Sequence, residues 1–187
     1  MPKEQPNKPD KREKIIKVSL QLFAKHGYDA TTIRMIAQES GISLGLLYTY
    51  FDGKNAVLKE IFDTTLVDIK KSLTITEEFS KPERRFEHFV EQMFQVVHKN
   101  LMFYRLLYSV RMQPSVQKLF LKELNALHAF IMASLEALLK ELGVPNHKQE
   151  AILLYACLDG GSNQYVLHSR SYPIEEVKKS IFQRFTS

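Results

Sequence analysis

The chain has 187 residues, 44% of them hydrophobic and 25% charged, which is ordinary for a soluble globular protein and ample for one hydrophobic core. Its single cysteine excludes an intramolecular disulfide, no apolar run is long enough to span a bilayer, and the first ten residues carry no apolar signal segment, so we expect a cytoplasmic protein. The formal net charge of +5 is compatible with a polyanionic partner such as nucleic acid.

The first predicted helix runs from Asp10 to His26 and overlaps a basic segment. Ile16, Leu20 and Phe23 form one apolar stripe, and Gly27 suits the position just after the helix. The clustered positive charges form either an arm toward DNA phosphates or a solvated tail, and the sequence favours neither. They are Lys3, Lys8, Lys11, Arg12, Lys14 and Lys17.

Two short helices, Thr32 to Ser40 and Ser43 to Phe51, are predicted next and indicate a helix-turn-helix. Ile36 and Ala37 repeat at helical spacing, Gly41 supplies the left-handed residue that ends the first helix, and Ser43 can cap the second. A helix presented in this way fits the DNA major groove.

Longer helices fill the rest of the chain. A capping box at Ser80 to Glu83 predicts one helix start. Pro114 interrupts the stretch before a further long helix, which Gly143 and Pro145 end. We find no strand alternation and no internal repeat, so an all-α fold is predicted. The predicted spans are Lys54 to Ile69, the capping box through Val97, Leu119 to Leu138, Lys148 to His168 and Ile174 to Phe185.

From Ile16 to Leu58 the sequence resembles the DNA-binding domain of the TetR family of bacterial transcriptional regulators. The resemblance implies an N-terminal three-helix domain, residues 1–53, followed by a larger helical ligand-binding and dimerisation domain, residues 54–187. Two positions depart from the family pattern: Gly53 replaces the usual Ser or Asn, and Asn55 replaces the usual Glu. The matching residues are Phe23-Ala24, Gly27-Tyr28, Thr31-Thr32, Ile36-Ala37, Gly41-Ile42-Ser43, Gly45, Leu47-Tyr48, Tyr50-Phe51, Lys54 and Leu58.

The resemblance also implies which residues contact DNA. Tyr48 and Lys54 match the family's phosphate-binding tyrosine and lysine, whereas Leu47 and Phe51 are expected to face the core. At the entrance of the second helix, a threonine hydroxyl can cap the helix or meet a phosphate, and these alternatives stay open. The expected DNA-binding residues are Thr31, Thr32, Arg34, Ser43, Leu44, Gly45, Leu46, Tyr48, Thr49, Tyr50 and Lys54.

The C-terminal two thirds would then hold an effector pocket walled by aromatic and methionine side chains, although such residues are more often simply core. We expect an apolar or aromatic effector oriented by a few polar groups. The candidate lining residues are Phe86, Phe89, Met93, Met102, Phe103, Tyr104, Tyr108, Met112 and Phe130, and the polar candidates are His98, Arg105, Arg111, His128 and Asn163.

The last two helices carry more apolar surface than a monomer needs, which indicates a homodimer formed by a four-helix interface. Cys157 lies in an apolar run and is expected to be a buried, inert thiol. The expected interface residues are Ile152, Tyr155, Leu158, Tyr165, Val166, Val177, Ile181, Phe182 and Phe185.

The chain shows no pattern typical of an enzyme: its histidines lack metal-ligand spacing, and no phosphate-binding glycine loop occurs. No cofactor or metal is expected. The predicted function is a homodimeric repressor that binds a pseudo-palindromic operator and is released by a small ligand. Two alternatives are a regulator of the same fold without a small-molecule ligand, and a helical interaction or enzymatic module in which the helix-turn-helix is incidental.

Overall fold

The structure is a computed structural model that describes residues 8–74 and 79–186. Within these ranges the chain forms helices and no strand, so the predicted all-α fold is confirmed. The helices are α1 Lys8–His26, α2 Ile33–Ser40, α3 Leu44–Tyr48, α4 Lys54–Ser72, α5 Pro82–Lys99, α6 Leu101–Val110, α7 Pro114–Gln117, α8 Leu121–Glu141, α9 His147–Leu167 and α10 Ile174–Thr186.

The described residues divide into two compact units. The first unit contains the chain up to Thr65 together with Arg105–Leu121, and the second contains Leu66–Tyr104 together with the chain from Lys122 onward. Helices α4 and α6 therefore each begin in one unit and end in the other. The boundary between the DNA-binding domain and the ligand-binding and dimerisation domain, predicted between residues 53 and 54, stays a prediction.

In the first unit, α1 packs against α2 and α2 against α3 around a core of large apolar side chains. Ile15, Phe23 and Ile36 have at most 1% of their surface exposed. Phe62 of α4 stacks on Phe120, with ring centroids 3.8 Å apart and planes 12° from parallel. Burying side chains of this size contributes roughly 1.5–3 kcal/mol each, so this core holds the short α2 and α3 in place.

The glycine turns of the first unit follow the sequence prediction. Gly41 ends α2 with φ +70°. Its N–H donates to the carbonyl of Gln38 at 3.0 Å, and the N–H of Ile42 donates to Ala37 at 3.0 Å. This paired closure satisfies two carbonyls at the helix end and sets the direction of the turn into α3.

In the second unit, α9 packs against α5 and α10, and α10 also packs against α5. Phe86 of α5 is fully buried with its ring edge-on to Phe182 and Phe185 of α10, at centroid distances of 6.5 and 5.8 Å. Gly161 of α9 is buried, and a Cβ at this position would lie 3.2 Å from the hydroxyl of Tyr172. The backbone of α9 therefore packs closely against its neighbours at Gly161.

Three local predictions beyond residue 79 are wrong. The capping box does not form, because the residue before α5 is Lys81, which makes no side-chain capping bond. The long helix that was predicted from Leu119 begins at Leu121, since a separate four-residue helix starts at Pro114. Cys157 is exposed, not buried, because it lies on the outward side of α9.

In the part of the chain that the structure describes, no helix is long and apolar enough to cross a membrane.

Candidate nucleic-acid interface

Helix α3 buries one side and presents the other to solvent. The hydroxyl of Ser43 accepts a hydrogen bond from the backbone N–H of Leu46 at 3.1 Å and so caps the helix as predicted. Leu47 is fully buried and Phe51 is 4% exposed, which confirms their predicted place in the core. The remaining positions of this segment, Leu44, Gly45, Leu46, Tyr48, Thr49 and Tyr50, are exposed or partly exposed.

The outward residues of α3 offer a small set of contacts. Tyr48 is 48% exposed, so its hydroxyl is accessible as a hydrogen-bond donor. The hydroxyl of Thr49 donates to the carbonyl of Leu46 at 2.7 Å, which leaves it available only as an acceptor. Gly45 adds no side chain, so another molecule can approach the backbone closely there. The face is therefore mainly apolar, with the exposed phenol of Tyr48 and the partly exposed one of Tyr50.

The two threonines before α2 differ in role. Thr32 is the N-cap, and its hydroxyl accepts from the backbone N–H of Met35 at 3.2 Å. Thr31 is fully buried, and its hydroxyl donates to the carbonyls of Gly27 at 2.8 Å and Leu22 at 3.3 Å. The prediction that Thr31 contacts DNA is wrong, because its side chain does not reach the surface. Arg34, the second residue of α2, is exposed.

Lys54, the first residue of α4, turns inward to the loop between α1 and α2. Its ammonium donates to the backbone carbonyls of Tyr28 at 2.8 Å, Thr31 at 3.1 Å and Asp29 at 3.2 Å. The same ammonium lies 4.3 Å from the centre of the Tyr28 ring. The Tyr28 hydroxyl donates to the side-chain oxygen of Asn55. No local sequence pattern links Lys54 to these carbonyls, although Tyr28 and Lys54 are both among the residues that carry the resemblance.

Arg12 of α1 is held within the first unit. Its guanidinium forms an ion pair with Glu60 of α4 and lies 4.9 Å from the centre of the Phe51 ring. The hydrogen bond from Arg12 lowers the pKa of Glu60 and outweighs the opposing effect of burial. Arg12 therefore joins α1 to α4 and is not available as a free charge of the basic segment.

Two other lysines of α1 border an open depression beside the helix-turn-helix. Lys11 and Lys14 line it together with the turn from Ser40 to Ser43 and with Leu46, and its volume is about 470 Å³. Lys14 is exposed. The positive charge of α1 thus lies next to the turn that precedes α3. Lys3 falls outside the described residues.

The predicted effector-binding residues occupy very different environments. Phe86, Phe89 and Phe103 are at most 1% exposed and Met93 is 9% exposed. Met112, in contrast, is 83% exposed and Met102 is 43% exposed, so neither lines an enclosed pocket in this chain.

The polar candidates and the aromatic residues Tyr108 and Phe130 are nearer the surface. His128 is exposed, with its ring 4.8 Å from that of Tyr155, and Phe130 is partly buried beneath the ammonium of Lys70 at 5.2 Å. Tyr108 is partly buried with the guanidinium of Arg111 over its ring at 4.5 Å. Arg105 is exposed and Asn163 is partly exposed.

Helix α9 carries an exposed face without charged residues, which we call the α9 outer face. Between residues 151 and 167 its exposed positions are Ile152, Leu153, Ala156, Cys157, Gly160, Gln164 and Leu167, all on one side of the helix. Ile152 and Leu167 have 62% and 63% of their surface exposed. A depression of about 440 Å³ separates this face from α10.

Most residues that were predicted to form the dimer interface lie inside the unit instead. Leu158 is fully buried, and Val166, Ile181 and Phe185 are at most 9% exposed. Tyr165 is 8% exposed, with its hydroxyl 2.5 Å from Nδ1 of His98. Their apolar surface is covered by neighbouring helices of the same chain, so they are the wrong residues for an interface. The other four predicted residues are not buried: Tyr155, Val177 and Phe182 are partly exposed, and Ile152 is 62% exposed.

The described residues contain no group of three or more histidine, cysteine or acidic side chains that could hold a metal ion.

The N-terminal region matches a known protein family. Residues 15–61 match the family described as bacterial regulatory proteins, tetR family. Over 49 residues the chain is 55% identical to YerO of Bacillus subtilis, an uncharacterized HTH-type transcriptional regulator, in a match that covers 26% of this chain and 17% of that protein. Over 62 residues it is 39% identical to the HTH-type transcriptional repressor KstR2 of Rhodococcus jostii, covering 33% and 30%. These two matches span less than two fifths of the relatives' lengths. The resemblance of the N-terminal region to the TetR family is confirmed.

Solved structures share the fold over nearly the whole chain. A TetR-like transcriptional regulator from Rhodococcus sp. RHA1 has a TM-score of 0.80 at 16% identity, over 95% of this chain and 94% of that one. The fatty acid degradation regulator FadR from Bacillus halodurans has a TM-score of 0.70 at 22% identity. That match covers 97% of this chain and 95% of the FadR chain. At such identities the likeness shows the fold alone.

Proposed function

We propose that this protein, whose residues 15–61 belong to the tetR family of bacterial regulatory proteins, is a transcriptional regulator that binds double-stranded DNA through α2 and α3. The observation that carries the proposal is the geometry of α3. Leu47 anchors the helix in the core while Gly45, Tyr48 and Thr49 stand exposed on the other side. A short helix with one anchored and one free face is what insertion into a major groove requires.

The contacts follow from the chemistry of each exposed side chain. Leu44 and Leu46 meet thymine methyl groups, and Gly45 lets the backbone approach the bases. Tyr48 donates its hydroxyl to a phosphate, and Arg34 reaches a phosphate or a guanine edge. An apolar reading face supplies few hydrogen bonds to bases, so contacts to the DNA backbone provide much of the affinity.

We further propose a homodimer that uses the α9 outer face. This face is apolar, uncharged and uncovered in the single chain, which is typical of a surface that pairs with another copy. Two-fold symmetry would place two α3 helices on successive major grooves of a pseudo-palindromic operator.

The proposed regulatory role is repression that a small, largely apolar ligand relieves. One relative, KstR2, is named a repressor. To release DNA, the ligand must favour the released conformation by about 1.4 kcal/mol for each tenfold loss of operator affinity. The aromatic-rich α5 and α6 support an apolar effector, since apolar ligands bind sites lined mainly by such side chains.

The decisive experiment selects genomic DNA fragments with the purified protein and measures their affinity by mobility shift. Gly45→Glu should abolish binding, because it adds bulk and negative charge where the backbone meets DNA, whereas Met112→Glu, an exposed site in the same unit, should bind normally. If the wild type retains no fragment at low salt, the helix-turn-helix is incidental. The ligand is tested separately, by measuring the melting temperature of the protein with a set of apolar compounds, because a bound ligand stabilises the folded state. If such compounds raise the melting temperature without releasing DNA, or if none raises it, the protein is a regulator without an apolar inducer.

A further inference from the structure

All the hydrogen-bond donors of the Lys54 ammonium are used inside the first unit. A lysine ammonium has three N–H donors and no acceptor. Here it contacts three backbone carbonyls at distances of 2.8, 3.1 and 3.2 Å, those of Tyr28, Thr31 and Asp29. A phosphate oxygen could bind this ammonium only by displacing one of these carbonyls, which would then lose its partner.

The three carbonyls belong to the loop that joins α1 to α2. Such loop carbonyls have no partner within a helix, so a side chain or water must satisfy them. The same loop is held a second time by the Tyr28 hydroxyl, which donates to Asn55, the residue after Lys54. The buried hydroxyl of Thr31 closes it from inside by donating to Gly27. The first turn of α4 therefore determines where the N-cap of α2, Thr32, is placed.

We infer that Lys54 is a positioning residue of the DNA-binding unit and not a phosphate ligand, an inference that rests on the proposed function. It acts through the loop, by fixing the start of α2 relative to α4. Because α3 follows α2 through the closed Gly41 turn, the loop also sets the orientation of α3. This departs from the role that the resemblance implies for the lysine at this position.

The first test uses the wild-type chain and needs no variant. The rate of lysine acetylation by an N-hydroxysuccinimide ester is measured by mass spectrometry, with and without a selected DNA fragment. In free protein Lys54 should react more slowly than the exposed Lys14, and DNA should change the Lys54 rate little, because its donors are engaged before DNA binds. The inference is overturned if Lys54 reacts as fast as Lys14 in free protein and becomes protected only when DNA is added.

The second test measures DNA affinity against salt concentration for Lys54→Met and Lys54→Arg, at a temperature where circular dichroism shows each variant folded. Lys54→Met should lose affinity about tenfold or more for every sequence, the equivalent of one hydrogen bond to a charged group, with an unchanged salt slope. Removing a phosphate ligand would instead reduce the slope by about 0.9. Lys118→Met removes one lysine charge from an exposed position of the same unit outside α1 to α4, so it is the matched control and should leave both affinity and salt slope unchanged.

Lys54→Arg separates the two roles most sharply. Arginine is an excellent phosphate ligand, but its planar donors do not match three converging carbonyls. A positioning role therefore predicts weaker binding for Lys54→Arg, and wild-type affinity in this variant would refute it. If the wild-type protein binds no DNA at all, the proposed function fails, while the acetylation rates still decide whether the ammonium is engaged.

Discussion

The α9 outer face leads to a specific expectation for Ile152. Fully burying an isoleucine side chain is worth about 1.5–3 kcal/mol. Since 62% of Ile152 remains exposed in the single chain, roughly 1–2 kcal/mol is left to gain from each copy when a partner covers it. A two-fold interface contains the residue twice, so its removal costs about 2–4 kcal/mol of dimer stability.

Ile152→Glu should therefore weaken the dimer by about 30-fold to several hundred-fold, at 1.4 kcal/mol per factor of ten. Sedimentation equilibrium over a range of protein concentrations measures this change. Met112→Glu is the matched control, because Met112 is also exposed and apolar but lies in the other unit. Leu158 is unsuitable for the test, since a charge at a fully buried position disrupts the unit itself.

Cys157 provides a second readout on the same face. Its exposed thiol should react with a thiol reagent more slowly in the wild-type dimer than in the Ile152→Glu variant, because the partner copy covers it. The reasoning is refuted if Ile152→Glu leaves both the dimerisation constant and the thiol reaction rate unchanged, or if Met112→Glu weakens the dimer equally.

Three further predictions concern stability within single units, each measured by denaturant unfolding. Gly161→Ala should be less stable than Gly160→Ala, because a Cβ at Gly161 meets a tyrosine hydroxyl at 3.2 Å whereas Gly160 faces open space; equal stability would contradict the packing described for α9. Thr31→Val should cost about 1–3 kcal/mol by removing the buried hydroxyl that donates to the Gly27 carbonyl, and Thr32→Val about 0.5–2 kcal/mol by removing the N-cap; a neutral Thr31→Val would refute the hydrogen bond of Thr31. The pKa of Glu60 is lowered by its arginine partner, so its stabilisation is present above the unfolded-state pKa and is lost as pH falls through the folded-state value. Glu60→Gln should accordingly unfold with a weaker pH dependence between about pH 5 and 3 than the wild type, and identical pH profiles would show that the pair contributes nothing.

The sequence by itself determined the features that depend on local chemistry. Helical periodicity identified the long helices, and Gly41 and Ser43 marked the turn and the start of α3, because a left-handed residue and a helix cap each require particular side chains. The burial of Leu47 and Phe51 followed from their positions on one side of a helix. The order and spacing of these residues carried the resemblance to the family that residues 15–61 match.

Only the tertiary structure decided which polar groups meet across distant parts of the chain. Lys54 contacts a loop more than twenty residues earlier, and Arg12 pairs with Glu60, which is 48 residues away. No sequence period encodes such pairings, since they depend on how helices cross. The same limit explains the wrong interface residues, because an apolar side chain such as Leu158 is equally suited to its own core and to a partner's surface. Whether such a residue is covered depends on neighbouring helices, and that is a property of the packed fold.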